Sequence, residues 1–445
     1  MRAESPFRPG WWKLAAFSSP MIGVQAFELA WRVYLPAYIA TSIGLSLVAT
    51  GALIMALRLW DGVIDPVIAW ASDRFPTRFG HRRPWMVAGL VPLLMGIPVV
   101  FFAWPSSNVP LFVLSALLMH LGYMLLVTPH GGWALEMGGD AAVRLRVIAA
   151  KTWFGIAGMV LVPIVPAMLE KGLAVGREGQ VAALGLFIML LFPLAVLLVL
   201  ATVPEPRLSA PQRVERANPL RLVAGILRTS ALRPILLLYL CSGFAEAGSS
   251  AVFLLFVGDG LGLDGWGSIL IVVQSVLSLA ALPLWIAVGD RVDRRGLLMA
   301  GYGWQAAMAL LALVLPASSI GAAIMFVMLR GLFSGLDFLF LRAIVSDIAR
   351  ASADAGIRNG ASFYAVSNLT LKFAFGAGAW AALALVQWLS GTFVIEETGR
   401  ALAVRLSYAL PSATAAVLAV LVLLLSRARR LHHAGTAGDP QVRML

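Results

Sequence analysis

Asp61 and Asp65 stand four residues apart inside an apolar run that begins near residue 46. On a helix that spacing sets both carboxylates on one face. A charged side chain at mid-bilayer costs about 3 kcal/mol on insertion scales, and such residues are kept where they face a cavity or a partner. Two acids at close range either share a proton or hold a cation between them. The alternative is structural, with both acids pairing to Arg58 and locking helices together. Arg58 is a counter-charge in either case.

Other polar residues interrupt apolar runs. Glu28 and Arg32 form either a local i,i+4 salt bridge or part of a surface that recognises a polar or zwitterionic solute. In the run at 109–136, Thr128, His130 and Trp133 are candidate wall residues. His130 is read as the intramembrane histidine, either a proton carrier or a satisfied core group beside Pro129. Trp133 either stacks a sugar ring or packs at an interface. In the second half, Glu246, Arg330, Asp337 and Lys372 are intramembrane ionisable residues and functional candidates on that ground. Arg330 and Asp337, seven apart on one helix face, are expected to pair through a neighbouring helix.

The elements that must carry these side chains follow from composition. Of 445 residues, 60% are hydrophobic and 13% charged, whereas soluble domains run nearer 25% charged. A spanning helix needs roughly 20 apolar residues. The apolar runs give spans at 13–40, 46–72, 84–104, 109–136, 147–169, 181–203, 233–257, 264–288, 296–316, 319–346, 360–390 and 405–426. The fold class is therefore an all-α polytopic membrane protein of twelve transmembrane helices in two six-helix bundles. Residues 1–203 form the first bundle, 204–232 a cytoplasmic linker with a short amphipathic helix near Leu220–Leu227, 233–426 the second bundle, and 427–445 a cytoplasmic tail.

Charge distribution orients the chain. The net charge of +12 sits in Arg clusters at 73–83, 144–151, the linker, 290–295 and 427–430, while loops at 41–46, 105–109, 258–263 and 317–319 carry no Lys or Arg. The positive-inside rule then places both termini in the cytoplasm, in a cell (inner) membrane. Basic faces with aromatic platforms are missing from the polar segments, which excludes nucleic acid as a partner. Cys241 is the one cysteine, so no intrachain disulfide or cysteine metal site forms. The first apolar run, with Glu28 and Arg32 inside it, differs from a signal h-region. No nucleotide-binding, HExxH or GxSxG motif occurs, so neither ATP-driven transport nor hydrolysis has its machinery, and the chain is not read as an enzyme.

A weak repeat links the halves. Ser72-Asp73-Arg74 through Arg82 and Arg83 follows the second span, and Gly289-Asp290-Arg291 through Arg294, Arg295 and Gly296 follows the eighth. These loops are read as gating ion pairs that hold one conformation and break in another. Duplicated bundles would bind substrate between them and alternate access by rocking.

Leu59-Trp60-Asp61-Gly62-Val63-Ile64-Asp65-Pro66, then Ser72-Asp73-Arg74 and Phe79-Gly80-His81-Arg82-Arg83-Pro84-Trp85, closely resemble the second helix and following loop of the glycoside–pentoside–hexuronide:cation symporters. These form the melibiose-permease-like branch of the major facilitator superfamily. Tyr34-Leu35-Pro36 with Gly44-Leu45-Ser46 is similar to that family's first helix end. Pro129, Glu136, Asp140, Arg144 and Arg146, and then Asp347, Gly356, Arg358, Gly360, Asn368 and Lys372, match two later motifs. The resemblance covers nearly the whole chain. It implies that Asp61 and Asp65 are the cation site and that Lys372 lies near it, able to mimic a bound cation. It also implies departures. Ile64 stands where Na⁺-using members tend to have Asn, and Met124 replaces a hydroxyl of the fourth helix. Gln25 and Val127 replace two sugar-binding acids, although Gln25 can still hydrogen-bond a hydroxyl. At 350 the chain has Arg where relatives usually carry Asp. Na⁺ needs several oxygens, as hard cations do, so H⁺ is favoured over Na⁺ as coupling ion, with no cofactor and no metal.

The expected function is cation-coupled symport of a polar solute such as a sugar or glycoside, by a protein working as a monomer among membrane lipids. The alternatives are a uniporter or exporter of a lipid-like amphiphile and a non-transporting scaffold or receptor on a transporter fold.

Overall fold

The computed structural model describes residues 10–75, 77–103, 108–137, 141–205, 232–289, 291–354, 360–392 and 397–434. The expected linker helix near 220–227, together with Asp290, Asp140, Gly356 and Arg358, lies outside them. Helices account for the described spans because a backbone in hydrocarbon must satisfy its own hydrogen bonds.

The first expected span is not one regular helix. It comprises α1 (Trp11–Ser18), α2 (Pro20–Leu29), a π-turn (Ala30–Tyr34), α3 (Leu35–Tyr38) and a second π-turn (Ile39–Ile43). Pro36 removes an amide donor here, which favours local re-pairing of the ladder. Gly44 ends the segment at φ +79, a left-handed conformation that suits glycine.

Then follow α4 (Leu47–Arg74), α5 (Arg83–Phe102), α6 (Val109–Glu136), α7 (Ala141–Leu161), α8 (Ile164–Gly172) and α9 (Arg177–Thr202). The second half holds α10 (Leu232–Ala251), α11 (Phe253–Leu255), α12 (Gly267–Gly289), α13 (Arg294–Val314), α14 (Ile320–Phe333), α15 (Leu336–Asp354), α16 (Gly360–Thr392) and α17 (Glu397–Ala434).

Among the described residues, ten helical stretches are long and apolar enough to cross a membrane, and an eleventh appears if α10 is joined to the segment Phe253–Gly260, bent 45° from it. The broken first segment was outside that count because no piece of it is long enough, so the total is consistent with twelve. Arg146 and Lys151, expected in a loop, stand within α7.

The chain divides into two compact units, Met1–Ser46 with Leu59–Gln212 and Leu47–Arg58 with Arg213–Leu445. In the first, α5 packs on α6, and α2 on α7 and α9. Gly89 and Gly122 make the α5–α6 approach possible, since a Cβ on Gly89 would lie 2.7 Å from the Gly122 carbonyl oxygen and one on Gly122 2.6 Å from that of Gly89. In the second, α10 packs on α16 and α17 around a core that includes Leu238, Tyr302, Leu341 and Val345. Leu190, Leu194 and Leu197 of α9 and Leu418, Leu421 and Leu425 of α17 are exposed, as lipid-facing side chains are.

Candidate cation and solute sites

Asp61 and Asp65 both sit on α4, one turn apart, and each reaches a polar side chain of α6. Asp61 is 0% exposed, and its Oδ1 lies 2.9 Å from His120 Nδ1. Thr128 Oγ1 donates to Asp65 Oδ1 at 2.7 Å. His120 stands in the same apolar run as His130, so that run holds two intramembrane histidines, which corrects the expectation of His130 alone. The signal for His120 would have been any titratable residue on the helix facing the acid pair.

His120 is enclosed by aromatic rings, with Phe27 at 5.1 Å and Trp31 at 4.8 Å, both edge-on. Its Nε2 is buried and has no hydrogen-bond partner among the described residues. Phe27 also stacks on Tyr123 at 4.0 Å, and the Tyr123 hydroxyl donates to Glu28 Oε1 at 3.1 Å. Arg32 falls in the π-turn that begins two residues after Glu28, so a regular α-helical register does not run between them.

The other candidates of this unit separate into two groups. His130 Nε2 contacts the Phe17 carbonyl oxygen at 2.8 Å, and Lys151 Nζ reaches His130 Nδ1 at 3.2 Å. An ammonium can only donate, so Nδ1 accepts and Nε2–H donates, and both ring nitrogens are committed. Trp133 is 0% exposed, edge-on to Phe17 at 5.4 Å and under the Arg83 guanidinium at 5.6 Å. It is a core residue with no face open to a sugar ring, which corrects the wall-residue expectation. Gln25 is half-buried against α7, where a Cβ on Gly158 would stand 3.0 Å from its own Cβ.

In the second unit a polar network forms around Arg330 of α14. Its Nη1 donates to Gln274 Oε1 at 3.0 Å and its Nη2 to Ser249 Oγ at 2.7 Å. Glu246 Oε2 lies 3.6 Å from Nη2, and the guanidinium stands 5.7 Å over the Tyr408 ring. Ser250 Oγ donates to Glu246 Oε1 at 3.3 Å. Pairing of Arg330 with Asp337 on one helix face is corrected by the break between α14 and α15, where Gly335 has φ +80. Asp337 instead faces Ser242, whose hydroxyl meets Tyr302 Oη at 2.8 Å. Arg58 and Lys372 also belong to this unit. Arg58 is 6% exposed, with its Cβ 3.3 Å from where a Cβ on Gly376 would be, and Lys372 is half-buried one turn before Gly376 on α16.

The basic loops build equivalent end structures in each unit. Arg82 pairs with Glu136 at the end of α6 and with Asp73, and its Nη1 donates to Ser72 Oγ at 2.6 Å. Burial alone would lower the Arg82 pKa, but Glu136 and Asp73 outweigh it and hold the value above the ordinary one. Arg83 Nη2 donates to the Val203 carbonyl at 2.6 Å. Glu205 caps the start of α5 by accepting from the His81 and Arg82 amides, each at 2.6 Å. In the second unit Arg294 pairs with Asp347 of α15, and Arg295 donates to the Leu423 carbonyl of α17. Arg291 donates its amide to the Val288 carbonyl at 3.0 Å, and Arg74 stands 5.6 Å over the Trp70 ring.

The sequence profile of the family described as MFS/sugar transport protein matches residues 16–427. The chain belongs to that family. It is a polytopic α-helical membrane protein with the major facilitator fold, and its resemblance to the glycoside–pentoside–hexuronide:cation symporters holds. An uncharacterized symporter of Synechocystis sp. is 26% identical over 205 residues, 43% of this chain and 38% of that protein. A glucuronide carrier protein homolog of Escherichia coli is 23% identical over 288 residues, 60% of each. The matches thus span under two thirds of either relative's length. The crystal structure of a D-xylose-proton symporter superposes with TM-score 0.65 at 16% identity, over 91% of this chain and 95% of that one, which establishes the shared fold. The family implies a small-molecule partner and a lipid environment.

Proposed function

We propose that this protein is a secondary transporter that couples solute movement to a cation by alternating access, with H⁺ as the cation and a sugar-like polar solute. The observation that carries the reading is the acid pair on α4, with Asp61 fully buried beside His120 and Asp65 bonded to Thr128. A buried acid without a change of charge in the working cycle would be a standing cost of several kcal/mol, roughly 3 on insertion scales. Coupling gives that cost a use. Glucuronide in the name of one relative and xylose with a proton in the name of the solved neighbour support the solute and the ion.

The Arg330–Glu246–Gln274 network offers donors and acceptors for hydroxyls or a carboxylate in the second unit, with Glu28, Arg32 and Gln25 in the first. Arg82–Glu136 and Arg294–Asp347 act as gates that hold one state. Both termini are cytoplasmic, the membrane is the cell's inner one, and the monomer suffices.

Two measurements test this. A melting screen of sugars, glycosides and uronides at two pH values, with and without Na⁺, identifies solute and ion, because a ligand bound only by the folded state raises apparent stability. Asp65→Asn is then expected to abolish uphill accumulation of that solute in vesicles while downhill exchange continues. Undiminished accumulation in the variant would count against the site.

A further inference from the structure

We propose that Lys151 of α7 is the counter-charge for the solute, so that the transported class is a polar solute carrying one carboxylate. The inference rests on the transport reading above and narrows its solute. Lys151 Nζ lies 3.2 Å from His130 Nδ1, 3.4 Å from the His130 carbonyl oxygen and 5.9 Å over the Phe17 ring. Among the described residues no carboxylate joins it.

Those contacts do not explain a cation. His130 donates its Nε2–H to the Phe17 carbonyl at 2.8 Å, so Nδ1 is an acceptor, and an uncharged amide or hydroxyl would serve it as well as an ammonium does. An ammonium inside a span is costly unless a counter-charge or a watered cavity receives it. Arg82 meets Glu136 and Asp73, and Arg330 stands 3.6 Å from Glu246, so those cations have their acids within the protein. The His130 contacts take two of the ammonium hydrogens, which leaves the third for an oxygen brought from outside.

The position suits a solute. Lys151, Gly155 and Gly158, spaced four and three apart, share one face of α7. That face meets α2, since a Cβ on Gly155 would stand 3.7 Å from Gln25 Nε2 and one on Gly158 3.0 Å from Gln25 Cβ. The Gln25 amide therefore lies about one helical turn, ~5.4 Å, along the face that carries Lys151. Gln25 can hold a hydroxyl of the molecule whose carboxylate Lys151 holds. Lys151 is half-buried rather than sealed, and Gly131, next to His130, has nothing within 4 Å of a built Cβ.

One monovalent cation selects one negative charge. A phosphate monoester carries about −1.5 to −2 at neutral pH and would bring excess charge into the same interior. A neutral sugar would leave the ammonium unanswered. A carboxylate balances it.

The test uses the full chain in detergent and its melting with matched probes at constant ionic strength: D-glucuronate against D-glucose, D-galacturonate against D-galactose, and glucose 6-phosphate. At least one acid is expected to raise the melting temperature by several degrees, with its neutral partner, the phosphate ester and chloride alone without effect. In Lys151→Met the half-saturating concentration of that acid is expected to rise about tenfold or more, and Lys151→Arg is expected to recover most of the loss. No response to either acid, an equal response to the neutral sugar, the phosphate ester or chloride, or an unchanged half-saturation in Lys151→Met would overturn the proposal. If Lys151→Met loses its melting transition, the wild-type chain is pulsed with acetic anhydride and its lysine peptides are weighed. The acid is expected to slow acetylation of Lys151 several-fold and to spare the exposed Lys171 any change. A Lys151 left unprotected overturns the site. Solute-driven alkalinisation in vesicles tests the symport reading separately. Alkalinisation driven by a neutral sugar keeps symport and removes the role of Lys151, while Lys151-dependent binding of an acid without alkalinisation does the reverse.

Discussion

Arg83 donates to the carbonyl oxygen of Val203 at 2.6 Å, tying the start of α5 to the end of α9. Arg295 also donates to a carbonyl oxygen, that of Leu423 inside α17, tying the start of α13 to that helix. The preceding arginine pairs in each case with an acid, Arg82 with Glu136 and Arg294 with Asp347. The weak repeat in the loops thus corresponds to one local design used twice. The Val203 carbonyl, at the C-terminal end of α9, lacks an intrahelical donor, and the Arg83 guanidinium supplies one.

That design makes Arg82 a stability residue with a defined pH signature. Its guanidinium meets Glu136, Asp73 and Ser72 at once, which an ammonium cannot match. Arg82→Met is expected to cost about 3 kcal/mol by stranding Glu136, with Arg82→Lys recovering part of it. Because the Arg82 pKa is raised in the folded state, its contribution is complete below the ordinary arginine range and is lost only as pH climbs through the raised value. The melting gap between wild type and Arg82→Met should therefore be flat from about pH 6 to pH 10. A gap that closes within that window would contradict the assignment.

Gly122 permits α5 and α6 to touch, and its replacement has a sharp control. A Cβ at Gly122 would lie 2.6 Å from the Gly89 carbonyl oxygen and 2.8 Å from Leu93 Cα, both backbone atoms that cannot move aside. Gly131, nine residues on in the same helix, has nothing within 4 Å of a built Cβ. Gly122→Val is expected to lose at least about 3 kcal/mol or the folded state altogether, while Gly131→Ala is neutral or stabilising by about 0.5–1 kcal/mol. Melting of the two purified variants decides it.

How far these sites can be read from sequence depends on what each required. The spans were legible because apolar runs in lipid must be helical, and α5, α6 and α9 begin and end within a few residues of expectation. Asp61 and Asp65 were legible as charges where charge is costly. His120 was as visible as His130 in the same apolar run, but its partner was not, since only the fold brings it to Asp61. The Arg330–Asp337 pairing assumed one straight helix, and the left-handed Gly335 breaks that register. Glu205 was assigned to a linker, although its carboxylate caps α5 from more than a hundred residues away. Lys151 was counted among loop cations, yet it reaches inward to His130.

Arg330 is expected to matter for solute rather than for folding alone. Its neighbours come from two helices, Gln274 from α12 and Ser249 with Glu246 from α10, and the Tyr408 ring flanks it, so a lysine would keep the charge but lose the two-point geometry. Arg330→Lys should weaken apparent affinity for the identified solute about tenfold, corresponding to about 1.4 kcal/mol, with melting little changed. Concentration-dependent downhill uptake measures it. An unchanged half-saturation would remove Arg330 from the solute site.

Thr128→Val tests whether the hydroxyl on Asp65 serves coupling. The change keeps shape and deletes one donor to Oδ1, an intramembrane hydrogen bond worth about 0.6 kcal/mol on average and up to about 1.7. So small a loss should leave the fold intact, with the melting transition within a few degrees of wild type. If Asp65 exchanges its proton during the cycle, removing a donor that favours the carboxylate makes release harder. The ratio of uphill accumulation to downhill exchange should then fall several-fold, and Thr128→Ser should restore it because serine returns the hydroxyl. Equal ratios for the valine and serine variants would mean that the bond only fastens α4 to α6.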